Sequence, residues 1–483
     1  MSDTITFGTD GWRAVTADQF TFANVRRVAD AIAVAARTLR PPAPIDANAL
    51  VVGYDRRFLS REFAGVVAES LRAAGFRVIL SDKPTPSQTI SFTARHRGVL
   101  GGVMVTASHN PPKYNGIKFK AWYGGSALPE MYEAIASSLD RSDAREGGSI
   151  GEENILDDYI EGVRGQLDLP LLRSAKLNLL HDPMHGSGAM IPSKVLGIDY
   201  VGAQRILDCD PPPRTSTVID GIRGEVNPSF GGVNPEPIPE NLYASRDAML
   251  SGHYHLAICN DGDADRLGIL DERGEFVSPH KIISLLALYL VREKKRAGEI
   301  VKTFSTTRLI EKVARSLGAT LHETPIGFKY VADLMLARDV LVGGEESGGI
   351  GFGAFMPERD GILSGLMVAE AVAYFGQPLS RIITRMEDEF GALHYDRRDV
   401  HRPMPQCARL IERVRSGNLD TAFAPGLTSK EEKDGVKMNF ADGSWILFRK
   451  SGTEPIIRIY CESPDAEQVG RMLDRAITEL DRG

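Results

Sequence analysis

Four short stretches of this 483-residue chain carry side chains whose types and spacing could do chemistry. The first is Thr106-Ala107-Ser108-His109-Asn110-Pro111-Pro112-Lys113-Tyr114-Asn115-Gly116-Ile117-Lys118. It follows Val103-Met104-Val105, which reads as a buried strand, so Ser108 and His109 fall just past a strand end, where open α/β sheets keep their chemistry. Asn110 precedes a proline and is held out of helix. Asn115-Gly116 reads as a hairpin turn. Beyond it Ile117, Phe119 and Ala121 alternate with Lys118 and Lys120, which predicts a strand with the Lys118 amine on the face away from the core. Taken alone, this stretch is also compatible with an ordinary polar surface loop.

The second stretch is Asn260-Asp261-Gly262-Asp263-Ala264-Asp265-Arg266. On extended backbone Asp261, Asp263 and Asp265 converge on one side, and like charges held together need a cation. Oxygen ligands suit Mg²⁺. An EF-hand loop is the rival: Glu272 stands at the twelfth position, but Arg266 stands at the sixth, where that loop needs glycine, and the flanks look like strands. A solvated acidic turn is the plain alternative.

The third stretch, Gly343-Gly344-Glu345-Glu346-Ser347-Gly348-Gly349, offers a carboxylate and a hydroxyl on a glycine-rich loop, suited to paired hydrogen bonds with sugar hydroxyls. The glycines from Gly349 to Gly353 echo a dinucleotide fingerprint but open no amphipathic helix, and that reading is rejected. The fourth, Arg449-Lys450-Ser451-Gly452-Thr453, combines cations, hydroxyls and pliable backbone, which is what a phosphate dianion needs. A basic hairpin would look the same.

The elements that must position these stretches follow one grammar. Helical spacing of Phe22, Val25, Val28, Ile32, Ala36 and Leu39 is followed by the strand Leu50–Val52, a helix carrying Phe63, Val67 and Leu71, the strand Phe76–Leu80, a helix after Pro86, and the strand leading to Ser108. Strand-helix alternation restarts at Lys176 and again at Ile300, while the last hundred residues read as a smaller α+β unit ending in a helix with Val469, Leu473, Ala476 and Leu480. The polar stretch Arg141–Asn154 reads as a linker. The expected domains are 1–153, 154–273, 274–388 and 389–483.

Composition fits a globular chain: 25% charged, 42% hydrophobic. Lys plus Arg is 57 against 64 for Asp plus Glu, a formal charge of −7, which disfavours nucleic acid as a generic partner. No apolar run approaches membrane-spanning length and the amino terminus has no secretory pattern. The four cysteines (Cys209, Cys259, Cys407, Cys461) form no CxxC pair, so a cytoplasmic chain with reduced thiols is expected.

Together the four stretches resemble, in order and over the whole chain, the motifs of the α-D-phosphohexomutases, the phosphoglucomutase/phosphomannomutase superfamily. The resemblance implies three related α/β mixed-sheet domains plus a smaller C-terminal α+β domain around a central cleft. It implies an isomerase that moves a phosphoryl group between C1 and C6 of a hexose, with Ser108 phosphorylated and a hexose 1,6-bisphosphate as intermediate and activator. It assigns Mg²⁺ to Ser108, Asp261, Asp263 and Asp265; catalysis to Ser108, Lys118, Arg13 and His109; and substrate contacts to Arg266, Lys302, Gly327, Lys329, Glu345, Ser347, Arg449, Ser451, Gly452 and Thr453. Lys118 is expected to act as general acid or base, its pKa lowered by neighbouring cations. Relatives acting on mannose or glucosamine phosphates commonly carry a histidine where this chain has Gly349, and Glu345-Glu346-Ser347-Gly348-Gly349 is nearer the phosphoglucomutase form. Glucose phosphate is the expected substrate, mannose phosphate or dual specificity the alternative, with phosphoglucosamine mutase ranking below both. A serine hydrolase is set aside for want of a GxSxG elbow. An inactive sugar-phosphate sensor is disfavoured by the intact Ser108, aspartates and Lys118. Monomer and dimer are both compatible with the sequence.

Overall fold

The computed structural model describes residues 5–482 apart from 9, 43, 203–215, 424–425 and 451–454. Four sheets succeed one another along the chain. In the first, the strands lie in the order Trp12–Val15, Tyr114–Ala121, Val99–Val105, Asp46–Tyr54, Arg77–Ser81, Ser149–Glu153, with Gly125–Ser126 beside Tyr114–Ala121. The centre is parallel, whereas Val99–Val105 and Trp12–Val15 both run antiparallel to Tyr114–Ala121. Both faces are covered. Leu50 and Val52 pack with the helices Phe22–Ala36 and Ser60–Ala73, while Ala49 and Val51 pack with Ile90 and Ala94 of the helix Ser87–His96. This explains the unbroken apolar runs of the central strands.

Three sequence readings are corrected here. Asn115-Gly116 is no turn: both residues lie inside a strand, opposite Ala14 and Arg13. Asn115 is buried, its amide donating to Ser60 Oγ at 2.9 Å. A Cβ on Gly116 would stand 2.5 Å from the Thr106 carbonyl and 2.8 Å from that of Trp12, so the glycine serves close approach rather than reversal. The expected linker Arg141–Asn154 contains the edge strand Ser149–Glu153, whose mixed polarity reflects its exposure. Finally, the face of Tyr114–Ala121 that carries Lys118 and Lys120 is buried, because other domains cover it.

The second sheet orders Phe276–Val277, Leu267–Asp271, Leu256–Asn260, Asn178–Asp182, Val218–Gly221 and Tyr200–Gly202. The third orders Leu321–Thr324, Glu299–Thr303, Val340–Gly344 and Ile350–Gly351. The helix Gly361–Phe375 joins them: Leu363 and Leu366 share one core with Ile258, Leu267 and Ile300, and Gly365 lets Ile258 come close. The last sheet is antiparallel, in the order His394–His401, Ile456–Ser463, Trp445–Lys450, Val436–Phe440, Leu427–Glu431, and packs its helices Met404–Arg415 and Ala466–Asp481 around a core of its own. Its other face meets the third domain through Phe304, Trp445, Leu447 and Tyr460. Among the described residues no single helix is long and apolar enough to cross a membrane, and Cys259, Cys407 and Cys461 are buried thiols. The architecture is three α/β domains and a smaller fourth domain.

Candidate active site

The Ser108 loop is built on a buried arginine that sequence reading overlooked. The Arg57 guanidinium donates to the carbonyls of Ser108 (2.5 Å), Asn110 (2.7 Å), Pro111 (3.0 Å) and Tyr114 (3.1 Å), and its Nε lies 3.2 Å from Asp55. Asp55 also accepts from the Thr106 hydroxyl at 2.6 Å, and Thr106 Oγ1 in turn accepts the Ser108 N–H at 2.9 Å. So held, Ser108 adopts a left-handed φ of 53°, a costly conformation for a residue with a side chain. Its hydroxyl donates to Asp261 Oδ2 at 2.9 Å and lies 3.3 Å from His109 Nδ1.

The aspartate loop is not extended, as expected from sequence, but a turn in which Ala264 has a φ of 60°. The turn gathers the three carboxylates more tightly than a strand would: one oxygen from each of Asp261, Asp263 and Asp265 falls within 4.8 Å of the others, all buried. Ser87 Oγ donates to Asp263 at 2.5 Å and the Arg266 N–H donates to Asp261 at 3.0 Å. Gly186 leaves room for the Asp261 and Gly262 carbonyls, and Gly262 for that of Ser108. Asp263 Oδ1 and Asp265 Oδ1 are buried without a hydrogen-bond partner. Burial, then Asp265 and Asp263, push Asp261 well above the usual carboxylate range. Unpartnered oxygens and mutual repulsion fit a hard divalent cation such as Mg²⁺.

Lys118 reaches this cluster from the first domain, its Nζ 2.9 Å from Asp263, 3.2 Å from Asp10 and 3.5 Å from Asp265. Burial alone would lower its pKa, but Asp10, Asp263 and Asp265 outweigh burial and raise it, contrary to the expected depression. Asp10, also overlooked in the sequence, is charged despite burial because Lys118, Lys120 and Arg359 surround it. His109 is neutral: burial, then Arg266 and Arg13, press it well below the imidazole range. Arg13 donates to Asn110 Oδ1 at 2.6 Å, on the rim of the same loop.

The third domain brings Glu345 to the cluster. Leu267 N–H donates to the Gly348 carbonyl at 3.0 Å, and Arg266 and Gly349 form a β-bridge, so the glycine-rich loop is clipped to the aspartate loop. Burial pushes the Glu345 carboxyl up to about 7 against the pull of Arg359. Ser347 is half-buried on the same loop. Arg359 was missed, although Glu358-Arg359-Asp360 is a run of three charges directly before a helix that is apolar but for Ser364 and Glu370, and such a run must find partners if it is buried. The guanidinium of Arg266 pairs with Glu236 at 2.8 Å.

Lys302 is not gathered with these groups. Strand alternation sends Thr303 towards Glu346 and Lys302 to the other side, where its amine meets Glu311 (2.5 Å) and Glu323 (3.0 Å) beside a cavity of about 440 Å³. Gly327, with a φ of 132°, starts the helix Phe328–Ala337, and Lys329 lies over the Tyr330 ring at 4.7 Å. Asp434 ties this corner to the fourth domain, accepting from Ile326 N–H at 3.1 Å and from Arg449 Nε at 2.9 Å. Ser451, Gly452 and Thr453 lie outside the described residues.

Family comparison agrees with this arrangement domain by domain. Models described as phosphoglucomutase/phosphomannomutase alpha/beta/alpha domains I, II and III match residues 4–146, 157–274 and 278–390, and the C-terminal domain model of that family matches residues 408–479. A Thermococcus kodakarensis phosphoglucomutase/phosphomannomutase is 30% identical over 98% of both chains. The chain belongs to the phosphoglucomutase/phosphomannomutase family. Among other members of this phosphohexomutase family, a Methanothermobacter thermautotrophicus protein described as a probable phosphoglucosamine mutase is 32% identical over 90% of this chain and 89% of its own. A Thermus thermophilus structure whose description names a phosphomannomutase superposes with a TM-score of 0.84 at 35% identity, covering both chains completely. As a phosphohexomutase the protein is an isomerase acting by phosphoryl transfer.

Proposed function

We propose that this phosphohexomutase interconverts glucose 1-phosphate and glucose 6-phosphate through phospho-Ser108 and a glucose 1,6-bisphosphate, with mannose phosphate as a second substrate. The observation that carries the reading is Ser108 Oγ seated 2.9 Å from Asp261, with Lys118 bonded to Asp263 beside it. In the first half-reaction the bond from phosphorus to the seryl oxygen breaks and one to the sugar oxygen forms, while the sugar hydroxyl gives up a proton and the departing seryl oxygen takes one. In the second, the other phosphoryl group of the bisphosphate moves to the seryl oxygen, which gives up its proton, and the released sugar oxygen takes one. Lys118, whose amine Asp10, Asp263 and Asp265 keep charged, would relay the proton in each step, giving its own to the oxygen that leaves phosphorus as it takes that of the attacking hydroxyl. His109, neutral and 3.3 Å from Ser108 Oγ, orients the seryl oxygen without adding charge. Asp261, Asp263, Asp265 and the phosphorylated Ser108 would hold Mg²⁺, whose chemistry here is neutralisation of charge on the transferring group. Glu345 and Ser347 would read sugar hydroxyls, and Arg449, anchored by Asp434, would meet the distal phosphate.

For the hexose, the support lies at Gly349. A Cβ there would stand 2.5 Å from Arg359 Cδ and 3.0 Å from Glu345 Oε2, so a histidine at this position requires the Arg359 side chain to move. The relative described as a probable phosphoglucosamine mutase favours a second reading, in which glucosamine phosphate is turned over. Comparison of kcat/KM for glucose, mannose and glucosamine 1-phosphates with Mg²⁺ and bisphosphate decides. Glucose should lead, and glucosamine leading by tenfold would replace the proposal with the second reading.

A further inference from the structure

Arg359 touches carboxylates of three domains. Its Nη2 lies 2.9 Å from Asp265 and 3.1 Å from Asp10, and its Nη1 lies 3.7 Å from Glu345. Its stem fills the space above Gly349, and the guanidinium carbon stands 5.7 Å from the centre of the Phe328 ring. The backbone on either side is pinned: Glu358 pairs with Lys120 at 2.5 Å, and Asp360 accepts from Tyr159 and from Leu363 N–H at 2.9 Å. Both neighbours are buried, so the backbone that carries Arg359 is held by contacts other than those of its own guanidinium. A cation serving only to tie domains together would be satisfied by Asp10 and Asp265. Its third contact goes to the Glu345 carboxylate, on a residue whose backbone is held in the glycine-rich loop by its N–H to the Gly349 carbonyl and by the Gly348 N–H to its own carbonyl.

We infer that Arg359 is a positioning residue for sugar recognition: it fixes the Glu345 carboxylate in register with the aspartate loop and, with its stem, occupies the space that a side chain at position 349 would need. The inference rests on Glu345 contacting the sugar. Because the two Nη atoms meet Asp265 and Glu345 at once, which a single ammonium does only in part, lysine is a partial substitute and methionine none. Charge neutralisation alone would be restored fully by lysine.

A double-mutant cycle on the full chain tests this, reading KM and kcat for glucose 1-phosphate and the Kd of the unphosphorylated enzyme for glucose 1-phosphate, with Tm as a check on folding. Glu345→Gln and Arg359→Met should each weaken binding about tenfold, and the double variant should be within about twofold of the weaker single one. Arg359→Lys should recover part of the loss, and it replaces Arg359→Met in the cycle should the latter not fold. Losses that multiply in the double variant, or Arg359→Met binding within twofold of the parent while Glu345→Gln is impaired, would overturn the inference and leave Arg359 as an interdomain tie. A harmless Glu345→Gln would instead remove the sugar-contact assignment on which the inference stands.

Discussion

The hydroxyl of Ser108 and the carboxylate of Asp261 are hydrogen bonded at 2.9 Å across 153 positions of sequence and two domains. Each is held there by a different scaffold, Ser108 by Arg57 and Asp261 by the Arg266 N–H and the glycine-bearing loop at Gly186. The contact therefore reports whether both scaffolds are intact.

Arg57 offers the first test. Its guanidinium is fully buried and satisfies four loop carbonyls while neutralising Asp55. Arg57→Met leaves Asp55 as an unpaired buried charge, which costs about 3–5 kcal/mol. Urea denaturation should show that loss, and kcat should fall although Arg57 reaches no substrate. A variant of parental stability would contradict the scaffold role.

Lys118 is charged because three carboxylates overcome its burial. Lys118→Met should slow single-turnover transfer from phospho-Ser108 to glucose 1-phosphate by roughly 10²–10⁴-fold, the usual worth of a positioned acid or base. A loss below about threefold would assign the proton to another group.

The buried aspartates predict a cation that binds the folded chain alone. Mg²⁺ at about 100 times its Kd should add about 2.7 kcal/mol of stability. Asp263→Asn should abolish most of that gain in a calorimetric melt. An equal gain in the variant would place the cation elsewhere.

Asp360 carries a pH dependence. Burial pushes its carboxyl up to about 7, against the Leu363 N–H, Tyr159 and Gln88, which favour the charged form. A carboxyl whose folded pKa is raised contributes fully below its unfolded value, and that contribution is lost as pH rises through about 7. Asp360→Asn keeps an acceptor for the helix cap but does not titrate. The stability of the parent relative to this variant should therefore fall by up to roughly 4 kcal/mol between about pH 4 and pH 8. A difference independent of pH would contradict the burial argument.

What was legible in the sequence was what is contiguous. Ser108, the three aspartates and Glu345 sit in strings at strand ends, where the local chain alone announces a loop with chemistry. Asn115-Gly116 misled because its turn propensity is local, while the close approach of Thr106 and Trp12 that demands the glycine is tertiary. Lys118 and Lys120 were placed on the wrong side of burial because alternation cannot show that Asp263, Asp265 and Glu358 arrive from other domains to pair with them. Asp10 and Arg359 lie 349 residues apart, and no spacing rule connects them. Lys302 had the right type and the wrong side of its strand.

The central claim is that Ser108 is a phosphate carrier. Incubation with glucose 1,6-bisphosphate and Mg²⁺ followed by peptide mass spectrometry should find one phosphoryl group on the peptide containing Ser108, removed again by excess glucose 1-phosphate. Ser108→Ala should carry none and lose mutase turnover while still binding sugar phosphate. A phosphoryl group on another residue, or near-parental turnover in Ser108→Ala, would contradict the account.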